Sequence, residues 1–290
     1  MIVINLKRGK EVRKVSALFF FLSTLGILLP TQLSAEILLQ DDFTTGEWSG
    51  AANYPAEWQR SVRVSVQEFQ PNQDALEFVF PGGPPLQDAW AEQRLTFPQQ
   101  TETWVSYDLY IPHNYYHRYS GGSSGDNNKF FAIYNNSYSP GFQVNFTAMP
   151  KSDGSSYVDI RYYRNGSEGG NWDKEPATGW PTIVDRNTDL GKWMSIKMHF
   201  KVPTSTSINN GVMQLWKNGQ LILDIQNLDS HGTSGLNFMD EAYILGWSNS
   251  GFDEDTVLYV DNIVVSDQPI DEETASPPEP PGNFSVVVDP

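Results

Sequence analysis

Cysteine is absent from this chain of 290 residues, so it has neither a disulfide framework nor the cysteine that carries a lipid anchor in bacterial lipoproteins. Cations are scarce: 19 Lys and Arg stand against 35 Asp and Glu, for a formal net charge of −16, and there are only four His. That balance argues against nucleic acid as a partner, because the phosphates would be repelled. Helical periodicity is missing too, since no apolar repeat at helix spacing runs beyond about three turns, and no internal repeat recurs. Long apolar stretches are confined to one place, Val15 to Leu29, which is short for a membrane span.

That run follows Lys7, Arg8, Lys10, Arg13 and Lys14 and precedes Leu33-Ser34-Ala35, the charged, apolar, small-residue order of a secretory signal peptide. The pattern predicts a signal peptide over 1–35, cleaved after Ala35, with a retained anchor as the alternative. Cleavage would leave 14 Lys and Arg against 34 Asp and Glu, a net charge of about −20. A secreted or periplasmic protein without stable membrane association follows from this reading. At the other end, residues 269–290 are acidic and proline-rich and read as a linker or tail. The domain expected between them is 36–268.

What the chain has in quantity is aromatics, 13% of residues, with 9 Trp and 13 Tyr. They fall in alternating patterns. Between Trp193 and Val202, the residues Met194, Ile196, Met198, Phe200 and Val202 point one way and Ser195, Lys197, His199 and Lys201 the other, as in a half-buried strand. A polar connection, Pro203–Gly211, leads to a strand at Val212–Lys217. Asn218-Gly219 then supplies the two positive-φ positions of a type I′ turn, and Gln220–Ile225 returns. Comparable strands are expected at Glu36–Phe43, Val62–Val66, Ala75–Phe80, Ala89–Phe97, Trp104–Ile111, Lys129–Tyr134, Gly141–Met149, Tyr157–Arg164, Ala242–Trp247 and Thr256–Val265. Two long irregular segments, Pro112–Asn128 and Asn165–Thr182, stand out as candidate functional loops. The sum is an all-β protein of two packed antiparallel sheets.

The spacing Gly191-Lys192-Trp193, a strand ending His199-Phe200-Lys201, a wide loop, then Gly211-Val212, Leu215-Trp216 and Asn218-Gly219, resembles the concanavalin A-like lectin/glucanase jelly-roll superfamily. It is most similar to the branch holding alginate, glucuronan and heparin lyases, over Ile37 to Asp267. The resemblance implies a jelly-roll β-sandwich acting on extracellular polysaccharide. Trp90, Glu92 and Arg94 stand where the alginate-lyase branch carries Arg-x-Glu-x-Arg, with Trp for the first arginine. Ala132-Ile133-Tyr134 stands at its Gln-x-His strand. Ala242 to Ser250 stands at its Tyr-Phe-Lys-Ala-Gly-x-Tyr-x-Gln strand, whose lysine and catalytic tyrosine fall on Ile244 and Ser248. These departures remove the alginate-lyase assignment and leave the architecture. The Glu-x-Asp-x-x-Glu strand of the retaining β-glucanases is absent, and with it their carboxylate pair.

The branch implies β-elimination beside a uronate carboxylate. That chemistry needs a group to neutralise the carboxylate, a base for the neighbouring proton, and an acid for the leaving oxygen. Gln143 and Asn145, on one strand face, suit the amide role, and Arg94 the charge. Tyr134 is the candidate base and acid, His117 its competitor, and Lys129 a cation at the groove edge. Trp90, Glu92, Trp172 and Trp180 are candidate sugar contacts. The bland alternatives are a structural Glu92–Arg94 pair and a Tyr134 that only packs. A non-catalytic carbohydrate-binding module remains the second reading. By the same resemblance, Asp41, Asp42 and Asp261 would join the first and last strands around a structural calcium. No organic cofactor and a monomeric state are expected.

Overall fold

The computed structural model describes residues 36–46, 59–85, 87, 89–119, 124–135, 141–164, 167–169, 176, 178–232 and 235–270. Contacts divide the chain into Met1–Ser34 and Ala35–Pro290, and the described residues belong to the second unit. In chain order the strands are β1 (Ile37–Asp41), β2 (Gln59–Val62), β3 (Val64–Gln70), β4 (Gln73–Phe80), β5 (Ala89–Gln100), β6 (Glu102–Ile111), β7 (Asn128–Tyr134) and β8 (Gln143–Pro150). They continue as β9 (Ser156–Arg164), β10 (Ser167–Gly169), β11 (Thr182–Val184), β12 (Lys192–Lys201), β13 (Gly211–Lys217), β14 (Gln220–Leu228), β15 (Met239–Ser248) and β16 (Thr256–Ser266).

They form two eight-stranded antiparallel sheets, the β-sandwich that the alternation predicts. One runs β14-β13-β12-β6-β16-β4-β3, with β1 on β16; the other runs β10-β9-β8-β7-β15-β5-β2, with β11 on β9. Met194, Ile196, Met198 and Phe200 of β12 are all buried between the sheets. Phe200 meets Phe131 and Phe146 of the opposite sheet, each with ring centroids 5.6 Å away. Removing such a ring would cost about 3–5 kcal/mol. The hairpin after β13 turns on Asn218 and Gly219, at φ 49° and 74°, as the Asn-Gly pair predicts.

The strand expected over Val62–Val66 is in fact two. Val62 ends β2 in one sheet and Val64 opens β3 in the other, and Arg63 between them takes φ 53°. A left-handed residue redirects the chain sharply enough to change sheets, which an apolar alternation does not reveal. Thr101 likewise separates β5 from β6, in opposite sheets. The short strands β10 and β11 had no counterpart in the expected pattern.

Candidate active site

Alternation leaves every second residue of β5, β15, β7, β8 and β9 on the outer face of their sheet, and antiparallel register sets these residues side by side. Arg94 pairs with Tyr243, Tyr243 with Ala132, Ala132 with Asn145, and Asn145 with Arg161, one row across five strands. Beside it lies a second row, Thr96, Glu241, Tyr134 and Gln143. Neighbouring strands lie about 4.8 Å apart, so the first row spans roughly 19 Å. Ala132 makes its low point, since a methyl group stands between a phenol on one side and an amide on the other.

The groups are held tightly. Arg94 Nε donates to Glu92 Oε1 at 2.5 Å, and Trp90 Nε1 donates to Glu92 Oε2 at 3.3 Å. Glu92 is only 2% exposed. Tyr134 and Tyr243 pack together with Ala132 as a small cluster, their ring centroids 6.0 Å apart. Burial pushes the Tyr243 phenol up, reinforced by the Glu92 charge and by Tyr134, so its proton is retained at neutral pH. Gln143 Nε2 donates to Asn145 Oδ1 at 3.2 Å, and its own carbonyl oxygen is buried without a hydrogen-bond partner among the described residues.

Backbone irregularity concentrates here as well. β15 breaks register between Ile244 and Ser248 against β7, with Leu245 at φ 55° and Gly246 at φ 136°. A Cβ on Gly246 would lie 3.2 Å from both Glu92 Oε2 and the Lys129 Cβ, so glycine is needed for space and for conformation. Beyond this bulge Trp247, 38% exposed, stacks on Trp90 at 4.7 Å and 10°. The pair makes a flat ledge beside the row.

The structure thus brings together Arg94, Tyr134, Gln143, Asn145, Glu92 and Trp90, with Lys129 at the edge, where its Nζ donates to Asn127 Oδ1 at 3.2 Å. His117 is not among them. It is fully buried, with Nδ1 2.8 Å from Ser156 Oγ and Nε2 2.7 Å from the Asp126 carbonyl, and it ties the segment after β6 to the start of β9. Trp180 is half-buried and packs against the main core. Trp172 lies outside the described residues. Sequence reasoning missed Tyr243, Arg161 and Trp247. The alternation of Tyr243 and Trp247 in Ala242–Trp247 was there to be read, but their partners are set only by register.

The expected calcium ligands do not converge as a trio. Asp41 Oδ1 accepts from the Phe43 amide at 2.9 Å, and Asp42 Oδ1 from the Thr44 amide and hydroxyl. Among the described residues no three metal-ligating side chains form a group. A different pair does meet: Asp261 of β16 stands opposite Asp108 of β6. Asp108 Oδ2 accepts from Asn262 Nδ2 at 2.8 Å, and its Oδ1 is buried with no hydrogen-bond partner among the described residues. Burial raises Asp261 to about 7, with the Asp108 and Asp42 charges adding, and raises Asp108 to about 6. A cation between the two would find one orphaned oxygen and relieve both.

No family model and no curated protein matches the chain. Solved structures do. The alginate lyase Aly36B is 13% identical, with a TM-score of 0.55 over 80% of this chain and 97% of that one. A variant of Aly36B in complex with an alginate tetrasaccharide is 15% identical, with a TM-score of 0.54 over 80% and 97%. The alginate lyase vAL-1 from a Chlorella virus is 10% identical, with a TM-score of 0.53 over 79% and 99%. At these identities the likeness is one of fold, a two-sheet β-sandwich of jelly-roll type.

Proposed function

We propose that the chain is a polysaccharide lyase that cleaves a uronate-containing polymer by β-elimination. The observation that carries this reading is the row Arg94, Tyr243, Ala132, Asn145, Arg161 with Tyr134 and Gln143 beside it. A sugar chain lying across the strands over Ala132 would set a uronate carboxylate against the Asn145 and Gln143 amides, between two guanidinium groups. Neutralising that carboxylate lets the adjacent carbon lose its proton. Tyr134, as its phenolate, takes the proton as base and ends the step as the neutral phenol. The electron pair forms the new carbon–carbon double bond, the bond to the glycosidic oxygen breaks, and the Tyr243 phenol, protonated at rest, donates to the leaving oxygen. General acid–base transfer of this kind contributes about 10²–10⁴-fold, and each aligned donor about as much again.

The same reading has the protein act outside the cell, on polymer met there. It also gives Asp261 and Asp108 a structural calcium, joining β16 to β6 with no part in the chemistry. The Trp90–Trp247 ledge favours a second reading, a binding module that stacks sugars without cleaving them.

A continuous ultraviolet assay decides between the two. Incubation with alginate, glucuronan, ulvan, pectate and heparin-type glycans should give the conjugated unsaturated uronate from one of them, and Tyr134→Phe should stop its formation while the protein stays folded. No product from any substrate, with retention by one of them, would leave the binding module standing.

A further inference from the structure

The outer face of the other sheet carries an ordered array for which the lyase reading has no use. Register sets Trp104, His199, Gln214 and Asp224 in one row across β6, β12, β13 and β14. The His199 ring lies on the Trp104 indole at 4.0 Å and 9°. It is held from both sides, Nδ1 at 2.8 Å from Gln214 Oε1 and Nε2 at 2.8 Å from Glu102 Oε1. Gln214 Nε2 in turn donates to Asp224 Oδ1 at 3.0 Å, which fixes the direction of its amide. Trp216 leans on Trp104 at 5.6 Å, and Lys197 Nζ lies 5.2 Å over the Trp216 ring. Sequence alone reads Lys197, His199, Lys201 and Lys217 as a solvated basic stripe. In the fold each has a fixed contact: Lys201 pairs with Glu102 at 3.0 Å and Lys217 with Asp189 at 2.5 Å.

Trp104 is only half-buried, and it walls a cavity of about 430 Å³ whose other sides are Gln100, Thr101, Glu102, Asp267, Gln268 and Pro269. We propose that this cavity is a second carbohydrate-binding site, separate from the groove, taking a neutral sugar ring against the Trp104 face. The chemistry of its walls selects that occupant. An indole clamped in place offers a flat apolar surface with little rotamer freedom left to lose. Two carboxylates and two primary amides accept and donate to ring hydroxyls. Among the described residues no lysine or arginine lines the cavity; Glu102 is already paired with Lys201 and His199, and the Asp267 carboxylate opposes a uronate. The groove reads a charged sugar with its arginines, whereas this site reads an uncharged one, so the protein would hold a neutral glycan while cutting an acidic one.

Affinity electrophoresis of the full chain tests this, in gels containing laminarin, xylan, galactomannan or hydroxyethylcellulose, with alginate as the acidic comparison. One neutral glycan should retard the wild type. Trp104→Ala should weaken that retardation at least tenfold and leave cleavage in the groove unchanged, while Tyr134→Phe should be retarded like wild type. Should Trp104→Ala melt early, Gln268→Ala decides, because it leaves the Trp104–His199 stack in place and should still weaken retardation. The proposal is overturned if no neutral glycan retards the protein, or if neither variant weakens retardation. It is also overturned if the face instead pairs two copies of the chain, seen as a dimer that Trp104→Ala dissociates. None of the overturning outcomes depends on lyase activity, so failure of this site and failure of the groove reading are told apart.

Discussion

Acidification from pH 7 to pH 4 should cost this protein stability at one identifiable residue, His117. Its ring is fully buried, and the neutral tautomer that fits donates from Nε2 to the Asp126 carbonyl and accepts at Nδ1 from the Ser156 hydroxyl. Burial pushes its pKa down from 6.5 to about 4, a shift that the Asp126 carbonyl and charge only partly offset. A depressed histidine means that the unfolded chain binds more protons than the folded one between these values. The stabilisation is therefore complete above pH 6.5 and is lost as the pH falls to 4. The gap is worth about 3 kcal/mol, a large part of a typical total of about 5–15 kcal/mol. Urea unfolding at pH 7, 5.5 and 4 measures it, with His117→Gln as reference, since an amide can donate to Asp126 and accept from Ser156 without titrating. Wild type should lose about 3 kcal/mol more than the variant over that range. Equal losses would refute the reasoning, and loss of cleavage in a well-folded His117→Gln would return His117 to the candidate bases.

Three further outcomes follow from the site. Tyr243→Phe should reduce turnover by about 10²–10⁴-fold at unchanged melting temperature, because the phenol supplies only the proton for the leaving oxygen; full activity would remove it from that role. Gly246→Ala should destabilise by about 1–3 kcal/mol and raise KM, since its φ of 136° is strained for alanine and the new methyl displaces Glu92 or Lys129; unchanged urea unfolding would sink this. Chelation should lower the melting temperature, and Asp261→Ala should abolish that response; identical melting curves with and without chelator would end the calcium reading.

Much of the fold was legible in the chain because alternation is local. The in-out pattern of Met194 to Val202, the Asn218-Gly219 turn, and strand after strand from Ala89 to Val265 follow from side chains two residues apart. Which strands become neighbours is a long-range matter. Arg94 meets Tyr243, nearly 150 residues away by sequence number, only because β5 and β15 pair in one register, and a slip of β15 by one residue would turn Tyr243 to the opposite face. Hence Arg94, Tyr134, Gln143 and Asn145 could be named as candidates from motif positions, whereas Tyr243 and Arg161 became candidates only when the rows were assembled.

Burial decided the rest. His117 and Tyr134 are alike in sequence as polar rings in aromatic stretches, and both are buried. Yet one is enclosed by Ser156 and Asp126, and the other stands beside Tyr243 and Gln143. Asp41 and Asp261 are both candidate calcium ligands by sequence; tertiary structure turned Asp41 onto its own turn and set Asp261 against Asp108. The sequence by itself determined the two-sheet architecture, through a period of two that any stretch of chain displays. Tertiary structure alone decided which polar groups share a face and which lose their water, because both depend on strands far apart in the chain.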